Sequence, residues 1–515
     1  MNAFDYLLGR DALRRHGTRI ALVCGASSVT YGELAAGAAR AAGAWTARGV
    51  RPGERVVIMM RDSPAFAAAW LGALHCGAVA VAASTKLTEA EFRHVRRDSA
   101  ARAVLVEDVF ARARPDLTAE FSAEGALLVA GDAQGAPSWD ALLAQADVAE
   151  DPFPAQPDDP AFWLYSSGTT GLPKGIVHTH RSVLPVGQAQ RDVVGLQPGD
   201  TVIATSKLFF AYALEHGLLG PLATGATSIL EPDWPDAERV LENVARHRPA
   251  AFFSVPTLYR RLLALGEARL APFRHIRGFV AAGERLPPDL VRRWREATGG
   301  EILSLYGMSE TFCAAIVTPR GTSTGTRTGL PLQGVEVRLA APDGTTLADG
   351  EPGVLWIRHP GLAQGYANRP EQTAAQFRDG WFCTRDMFVK DADGFYCHQG
   401  RADELLKVSG QWVQPGELEE AVAGAPGIVE AACVPVADED GFDRLALFIA
   451  AQGDPGDALA AAARRCEERL PRNKRPHWVR AVADLPRTAT GKVQRFLLRE
   501  LLERELAGSR PPRGS

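Results

Sequence analysis

Cysteine is scarce in this sequence, and neither sign of charge dominates it. Seven cysteines are spread over 515 residues, and their odd number and wide spacing argue against a disulfide framework. The formal net charge is only −4, with acidic and basic residues interspersed. A nucleic-acid-binding face needs a strong local excess of Lys and Arg, so this balance argues against nucleic acid as a partner.

Long hydrophobic runs are also nearly absent. The stretch AFAAAWLGALHCGAVAVAAS, residues 65–84, approaches the length of a membrane span. It consists largely of alanine and glycine, contains His75 and is divided by Gly77, so we predict a buried helix followed by a buried strand and no membrane association. The first residues lack the basic segment and apolar run of a secretory signal, and we expect a cytoplasmic protein.

The sequence does contain an alternation of helical and strand patterns over its first four hundred residues. Short apolar runs such as RVVIMM (55–60), AAFFSVP (250–256) and EILSLYG (301–307) end in small or polar residues, and helical segments lie between several of them. Apolar strands separated by helices predict an α/β fold with largely parallel sheets. Ligands in such sheets bind beyond the carboxyl ends of the strands.

The pattern changes toward the end of the chain. Short strands separated by Asp-Gly turns predict a small β subdomain over about 320–402. Beyond it, an acidic helix, two apolar strands and a further helix predict a separate unit. We therefore predict a large N-terminal domain of stacked α/β sheets over 1–402, which includes the β subdomain, and a small α+β C-terminal domain over 403–515. The boundary is placed near Asp403.

Residues 165–175, YSSGTTGLPKG, combine hydroxyl side chains, glycines and one lysine in a single loop. Glycines let backbone N–H groups converge on an anion, and hydroxyl and ammonium groups add further donors. Such a loop suits a polyphosphate. It is not a Walker A sequence, because that motif would require glycine where Pro173 stands.

This loop and four later motifs resemble those of the adenylate-forming superfamily, which includes acyl- and aryl-CoA ligases, luciferases and peptide-synthetase adenylation domains. The later motifs are LYGMSE (305–310), WFCTRD (381–386), GRADELLKVSGQWVQPGELE (400–419) and PRTATGKVQR (486–495). Three further segments resemble the benzoate–CoA ligase branch: KLFFAYALEHGLLGPLATGAT (207–227), FFSVPTLY (252–259) and AAGERLP (281–287). The resemblance implies a ligase that uses ATP, Mg²⁺ and coenzyme A to activate an aromatic carboxylic acid.

The same resemblance implies a nucleotide site. Tyr306 would lie against the adenine, the backbone around Ser304 would read its edge, and Asp386 would accept hydrogen bonds from the ribose hydroxyls with Arg401 nearby. Glu310 would hold Mg²⁺ together with Thr170. The further residues implied to bind the phosphates or the nucleotide are Ser167, Gly168, Thr169, Lys174, Gly283, Glu284 and Gly307.

The resemblance assigns the chemistry to a lysine and implies a mobile C-terminal domain. Lys492, in TATGKVQR, would join Glu310 as a catalytic residue by bridging the carboxylate and the ribose 5′-oxygen. Asp403 would be the hinge about which the C-terminal domain rotates between adenylation and thioester formation. After that rotation, the loop containing Ser409 and Gly410 would line the pantetheine tunnel of coenzyme A.

An acyl pocket follows from the benzoate branch. Its predicted walls are Phe210, Ala211, Tyr212, Ala282, Cys313 and Ala314. Benzoate ligases of this branch usually carry a His-Ile pair where this chain has Cys313 and Ala314, so we expect a wider pocket and a substituted benzoate, with anthranilate as the first candidate. A second departure is Arg385, which stands where the family's Thr-Gly-Asp motif has glycine; its side chain must point outward or meet a phosphate.

Three functional hypotheses remain open on the sequence. The first is an aryl-CoA ligase, and the second is an adenylation enzyme that loads the phosphopantetheine of a carrier protein. The third is a non-catalytic nucleotide-binding protein, which the presence of Lys492, Glu310 and Asp386 disfavours. The basic stretch 464–480 could contact the phosphates of coenzyme A or an acidic carrier helix. Relatives within the branch also suggest a homodimer.

Overall fold

The structure is a computed structural model, and it describes residues 1–166, 172–341, 344–402, 406–408, 411–413, 415–438, 442–487 and 493–508. The chain divides into two compact units. The first comprises Met1–Arg338, Trp356–Cys383 and Lys390–Cys397, and the second comprises Leu339–Leu355, Thr384–Val389 and the chain from His398 onward. Asp403 lies outside the described residues, so the boundary placed there stays a prediction.

The strands are numbered in chain order. They are β1 (Ile20–Cys24), β2 (Ser27–Thr30), β3 (Arg55–Met59), β4 (Val79–Ala82), β5 (Ala103–Glu107), β6 (Leu127–Ala130), β7 (Pro160–Ser166), β8 (Lys174–Thr179), β9 (Thr201–Ala204), β10 (Thr227–Leu230), β11 (Ala251–Ser254), β12 (Gly278–Ala281), β13 (Ile302–Tyr306), β14 (Ile316–Val317), β15 (Leu330–Pro331), β16 (Glu336–Ala340), β17 (Gly353–Arg358), β18 (Gly365–Tyr366), β19 (Phe377–Arg378), β20 (Trp381–Lys390), β21 (Tyr396–Arg401), β22 (Leu406–Val408), β23 (Gln411–Val413), β24 (Ile428–Ala437), β25 (Asp443–Ala451) and β26 (Trp478–Val482).

Most of the helical segments are regular α-helices. They are α1 (Ala3–Leu8), α2 (Arg10–His16), α3 (Tyr31–Ala47), α4 (Pro64–His75), α5 (Glu89–Asp98), α6 (Asp108–Arg112), α7 (Pro115–Ala123), α8 (Trp139–Gln145), α9 (Ala211–Leu214), α10 (Gly220–Thr224), α11 (Ala237–His247), α12 (Pro256–Ala264), α13 (Pro288–Thr298), α14 (Pro370–Gln376), α15 (Pro415–Val422), α16 (Pro455–Arg469) and α17 (Arg495–Gly508). Short 3₁₀ turns occupy His180–Val183, Glu267–Phe273 and Arg472–Lys474, and π-helical turns occupy Gln190–Val194 and Glu215–Leu219.

Two large sheets lie in the first unit. One has the strand order β15-β14-β13-β12-β11-β9-β10-β1-β2, with parallel pairing from β13 through β1. The other has the order β18-β8-β7-β4-β3-β5-β6 and is parallel from β7 through β6. A smaller sheet has the order β16-β17-β20-β19, with β21 paired to β20. The second unit contains the hairpin β22–β23 and the sheet β24-β25-β26.

Helices α3 and α4 pack closely because their contact face consists of small residues. The first begins in a capping box, in which Thr30 accepts from the Glu33 N–H and the Glu33 carboxylate accepts from the Thr30 N–H. A Cβ atom on Gly72 of α4 would lie 2.6 Å from Cβ of Ala41 on α3, so only glycine permits this approach. One buried cluster joins these helices to strands of both large sheets, so the two sheets share part of their core.

The predicted α/β fold is confirmed. The stretch 65–84 divides as expected into helix α4 and strand β4, and the residues of β4 are buried. Within the part of the chain that the structure describes, no helix has the length and apolar character needed to cross a membrane. The parallel strands β9 and β11–β13 end at one edge of their sheet, which is the edge that the sequence predicts for ligands.

Candidate active site

Predicted nucleotide-binding residues lie at the carboxyl ends of neighbouring parallel strands. Strand register aligns Ser254 of β11 with Ala281 of β12, and Ala281 with Ser304 of β13. Ala282 and Gly283 therefore follow directly after β12 at the edge where Tyr306 ends β13. The structure thus brings together these residues, which are separate in sequence, as the parallel topology requires.

Local hydrogen bonds hold this edge in place. The Ser304 N–H donates to Oγ1 of Thr318 at 3.2 Å, and the Thr318 N–H donates back to the Ser304 carbonyl at 2.9 Å. A Cβ on Gly307 would lie 3.2 Å from the Cys313 carbonyl oxygen, so a side chain there would crowd the turn that follows. Glu284 is exposed, and its carboxylate accepts from Oγ1 of Thr257 at 2.8 Å.

A compact charged cluster surrounds Glu310. The Lys174 ammonium lies 3.1 Å from Oε1 of Glu310, and the Tyr366 hydroxyl lies 2.8 Å from the same oxygen. The ammonium also lies 3.8 Å from the centre of the Tyr366 ring, a cation–π contact. Only 15% of the Lys174 side chain and 10% of the Glu310 side chain are exposed. Two predicted phosphate-site residues, one at the start of β8 and one after β13, are thus brought together.

Buried polar groups support this cluster. The Tyr366 hydroxyl also contacts the side chain of Gln376, and Nε2 of His178 lies 2.8 Å from the Ser309 carbonyl. The His178 ring stacks on Phe162, with 4.9 Å between centroids and a 12° angle between planes. Burial lowers the pKa of His178 to about 4, so the ring is neutral near pH 7. Its contact with the Ser309 carbonyl holds the backbone next to Glu310.

The sequence did not single out Tyr366 or Gln376. Both lie between the motifs LYGMSE and WFCTRD, and nothing in their local pattern distinguishes them. The donor chemistry of Glu310 fits a hard cation such as Mg²⁺. The described part of the chain holds no group of three or more His, Cys, Asp or Glu side chains that could bind a metal. A cation at Glu310 would therefore need further oxygen ligands, such as the substrate, water or the predicted ligand Thr170, which lies outside the described residues.

The predicted aromatic wall of the acyl pocket begins helix α9. Phe210 precedes the helix, and Ala211 and Tyr212 form its first turn, all three half-buried. The Tyr212 hydroxyl lies 3.3 Å from the Ser254 carbonyl and 3.2 Å from the Val280 carbonyl. It therefore anchors α9 to strands β11 and β12 near the edge that carries the nucleotide-site residues.

Two other predicted wall residues, Cys313 and Ala314, lie next to side chains that the sequence did not assign. Cys313 and Ala314 are buried, and the Ala314 N–H donates to Oε2 of Glu215 at 3.1 Å. Nε2 of His359 lies 3.1 Å from the Ala314 carbonyl, and burial lowers the pKa of His359 to about 4. Glu215 could have been found from the sequence, because Glu-His is a polar pair inside the apolar segment AYALEHGLLGPL.

The second unit carries the predicted ribose group. Asp386 is buried, and its Oδ1 lies 3.7 Å from both Nη1 of Arg401 and Nε2 of His398. The Asp386 N–H donates to Oγ1 of Thr384 at 3.0 Å. Arg385 is exposed and has a φ of +61°, the left-handed conformation in which glycine is favoured. Exposure is compatible with both orientations expected for this departure from the family motif, which therefore stay predictions.

Several predicted site residues lie outside the described residues. They are the phosphate-loop residues Ser167, Gly168, Thr169 and Thr170, the hinge residue Asp403, the tunnel residues Ser409 and Gly410, and the catalytic candidate Lys492. Their roles stay predictions.

Comparison with known proteins places this arrangement in a family. The AMP-binding enzyme model matches residues 9–367, and the AMP-binding enzyme C-terminal domain model matches residues 417–492. The chain therefore belongs to the AMP-binding enzyme family, in the benzoate–CoA ligase branch of the adenylate-forming superfamily. It is an AMP-forming acid–thiol ligase, and the resemblance inferred from the motifs is confirmed.

Individual relatives show which members of the family the chain is similar to. The chain is 43% identical to a 3-hydroxybenzoate–CoA ligase of Aromatoleum sp. (strain CIB), over 98% of this chain and 97% of the relative. It is 42% identical to a 3-hydroxybenzoate–CoA/4-hydroxybenzoate–CoA ligase of Thauera aromatica, over 98% of each chain. Among solved structures, the anthranilate CoA ligase AuaEII in complex with anthranoyl-AMP matches with a TM-score of 0.91 and 30% identity, over 98% of each chain.

Proposed function

We propose that this protein is an ATP-dependent ligase that converts a ring-substituted benzoate to its CoA thioester, with 3-hydroxybenzoate as the first candidate substrate. The observation that carries the proposal is the similarity of nearly the whole chain to hydroxybenzoate–CoA ligases at 42–43% identity. Anthranilate, expected first from the residues, becomes the competing candidate. It is supported by the similarity to the anthranilate ligase structure at 30% identity.

The first half-reaction joins the acid to AMP. A carboxylate oxygen attacks the α-phosphorus of ATP, the bond to the bridging oxygen breaks and pyrophosphate leaves. The catalytic demand is for positioning and charge neutralisation. In this proposal Lys174 and the loop residues Ser167, Gly168, Thr169 and Thr170 bind the phosphates, and Lys492 bridges the carboxylate and the ribose 5′-oxygen. Glu310 and Thr170 would hold Mg²⁺, which supplies positive charge beside the phosphates when bound.

The remaining nucleotide contacts are proposed from the family motifs. Tyr306 lies against the adenine, and Ser304, Gly307, Gly283 and Glu284 belong to the same edge of the sheet. Asp386 accepts from the ribose hydroxyls, because a carboxylate is an acceptor that suits a vicinal diol. Arg401, 3.7 Å from Asp386, steadies that carboxylate.

The second half-reaction transfers the acyl group. The thiol sulfur attacks the acyl carbonyl, the bond to AMP breaks and the thiol proton is lost to solvent. We propose that rotation about Asp403 withdraws Lys492 and brings Ser409 and Gly410 to the thiol path. Coenzyme A is the proposed acceptor, since both relatives named above are CoA ligases. A carrier-protein phosphopantetheine is the alternative acceptor, with the basic stretch 464–480 available to either.

The test uses the full chain with ATP and Mg²⁺ and a panel of benzoate, 2-aminobenzoate, 3-hydroxybenzoate and 4-hydroxybenzoate. Pyrophosphate release measures the first step, and thioester formation with free coenzyme A or with a holo carrier protein measures the second. We expect the highest kcat/KM for 3-hydroxybenzoate with free coenzyme A. A preference for unsubstituted benzoate, or thioester formation only on the carrier protein, would overturn the proposal.

A further inference from the structure

An acid and an imidazole are buried side by side next to the predicted acyl pocket. Glu215 and His216 begin the π-helical turn Glu215–Leu219, and their side chains are 3% and 0% exposed. π-Helical turns place side chains that regular α-helical spacing would not, and they are frequent at functional sites. The turn follows directly after α9, which carries the predicted wall residue Tyr212.

The contacts of Glu215 link both predicted walls. Its Oε2 accepts the Ala314 N–H at 3.1 Å and lies 3.2 Å from Nε2 of His216, which is out of line for a hydrogen bond. The His216 ring stacks on Phe253, with 4.5 Å between centroids, and meets the Tyr212 ring edge-on at 5.0 Å. The carboxyl group therefore lies among the residues that the benzoate branch assigns to the substrate ring.

Burial determines the protonation of this pair. It raises the pKa of Glu215 to about 8, although the Ala314 N–H acts in the opposite direction, and it lowers the pKa of His216 to about 3. Near pH 7 the carboxyl group is thus mainly neutral, and a neutral carboxyl group can both donate and accept a hydrogen bond. Besides the Ala314 N–H, the carboxyl group has among the described residues only the Cys313 thiol as a hydrogen-bonding contact, and a thiol is a weak hydrogen-bonding group, so a stronger polar partner would stabilise it further.

A ring hydroxyl is a partner of matching chemistry. A phenol also donates one hydrogen bond and accepts others. Cys313 and Ala314 are smaller than the His-Ile pair that benzoate ligases of this branch usually carry, which favours a ring substituent on this side of the pocket. The Tyr212 hydroxyl already contacts two backbone carbonyls. Among the described residues next to the predicted acyl pocket, Glu215 is suited to form a hydrogen bond with the ring substituent.

We propose that Glu215 determines acid specificity by hydrogen-bonding the ring hydroxyl of a hydroxybenzoate, with His216 as a positioning residue for its carboxyl group. The inference rests on the proposed function and adds the residue that selects the substrate. Unsubstituted benzoate would leave the buried carboxyl group without its partner, and such loss is penalised more strongly than a missing methylene. The selectivity for 3-hydroxybenzoate over benzoate is the quantity that Glu215 controls.

The experiment measures kcat/KM for 3-hydroxybenzoate and for benzoate in wild type, Glu215→Leu and Glu215→Gln. In Glu215→Leu, we expect kcat/KM for 3-hydroxybenzoate divided by that for benzoate to fall about 10- to 100-fold. Binding of benzoate then no longer leaves a buried polar group without a partner. Glu215→Gln keeps the shape and one amide donor, and we expect a fall of about 3- to 10-fold. It also keeps the question testable if Glu215→Leu does not fold.

The positioning role of His216 is tested by a measurement that a purely structural role would leave unchanged. His216→Phe keeps a flat ring against Phe253 but removes the nitrogen beside Oε2 of Glu215. We expect KM for 3-hydroxybenzoate to rise about 3- to 10-fold while its kcat and the KM for benzoate stay near the wild-type values. Equal changes for both acids would overturn the positioning role.

Glu301→Leu is the matched control. Glu301 lies in the same unit and accepts from the N–H groups of Gly321 and Ser323 at 2.7 and 2.8 Å, so its loss affects stability without changing acid preference. Equal losses for both acids in Glu215→Leu and Glu215→Gln would overturn the inference while leaving the proposed function intact. A wild-type enzyme that activates no hydroxybenzoate would instead overturn the proposed function.

Discussion

Glu310 and Glu215 are two buried carboxyl groups in the same unit with different partners. Glu310, 10% exposed, contacts the Lys174 ammonium and the Tyr366 hydroxyl. Glu215, 3% exposed, contacts a backbone N–H and lies beside a neutral imidazole. A cation offsets the cost of burying a carboxylate, whereas a group without one gives up its charge. Glu310 is therefore suited to bind charged groups, whereas Glu215 is suited to recognise a substrate by hydrogen bonding.

The largest expected effect comes from removing the charge of Glu310. In Glu310→Gln, we expect pyrophosphate release to fall about 10²- to 10³-fold with every acid, because the proposed carboxylate ligand of Mg²⁺ is lost and Lys174 loses its counter-charge. Activity is measured across the acid panel and over a Mg²⁺ titration, with Glu301→Gln as the control. A loss below about threefold, or a loss confined to one acid, would break the contrast with Glu215.

Lys174 tests the other half of the charged cluster. We expect Lys174→Met to raise KM for ATP about 10- to 100-fold, since the charge-assisted contact to phosphate proposed above is lost, with the preference among acids unchanged. Lys174→Arg restores the charge and should recover part of the affinity. Initial rates at varied ATP, with 3-hydroxybenzoate and then benzoate, provide the measurement. A changed acid preference would show that the two carboxyl sites are not separate.

The neutral forms of Glu215 and His216 imply that the stability of the protein depends on pH. Glu215 has a folded pKa of about 8 against an ordinary value of 4.5, so the folded state holds an extra proton between these values and loses stability as pH rises. Glu215→Gln removes this loss, and its stability relative to wild type should grow with pH by up to about 1.4 kcal/mol per unit between pH 4.5 and 8. Urea unfolding at several pH values across this range measures it.

His216 acts in the opposite direction. Its folded pKa of about 3 lies below the ordinary 6.5, so the unfolded state takes up a proton first and stability falls as pH drops below 6.5. His216→Phe should therefore reduce the acid sensitivity that Glu215→Gln leaves in place. A pH-independent difference between wild type and either variant would mean that the pair is not buried in these neutral forms.

The smallest expected effect is at Tyr366. Tyr366→Phe keeps the ring under Lys174 and removes one hydroxyl contact to Glu310, so we expect a loss of about 1 kcal/mol in stability and a few-fold fall in activity. Thermal unfolding and pyrophosphate release are compared with Tyr6→Phe, whose hydroxyl donates to the Leu184 carbonyl at an exposed position. An effect as large as that of Glu310→Gln would indicate that Tyr366 contacts the nucleotide directly.

Short contiguous motifs in the sequence predict much of the candidate site. YSSGTTGLPKG and LYGMSE show their chemistry in adjacent residues, and parallel topology then predicts that strand ends such as Ser304 and Ala281 meet at one edge. Tyr366 could not be predicted in this way, because its contact with Glu310 spans 56 residues and depends on strand β18 pairing with β8. The conformation of Arg385 was similarly hidden, since a single sequence does not show a positive φ at a non-glycine residue.

The sequence by itself determined the layered α/β fold and the chemistry of activation, because apolar periodicity and contiguous motifs are local properties of the chain. Tertiary structure decided which carboxyl group is paired with a cation and which is left neutral. Protonation depends on desolvation and on the groups within a few ångströms, and those neighbours come from distant segments. In the sequence, Glu215 is distinguished only as half of a polar pair inside an apolar segment, which does not show its protonation. The folded chain alone places it against Ala314 and His216.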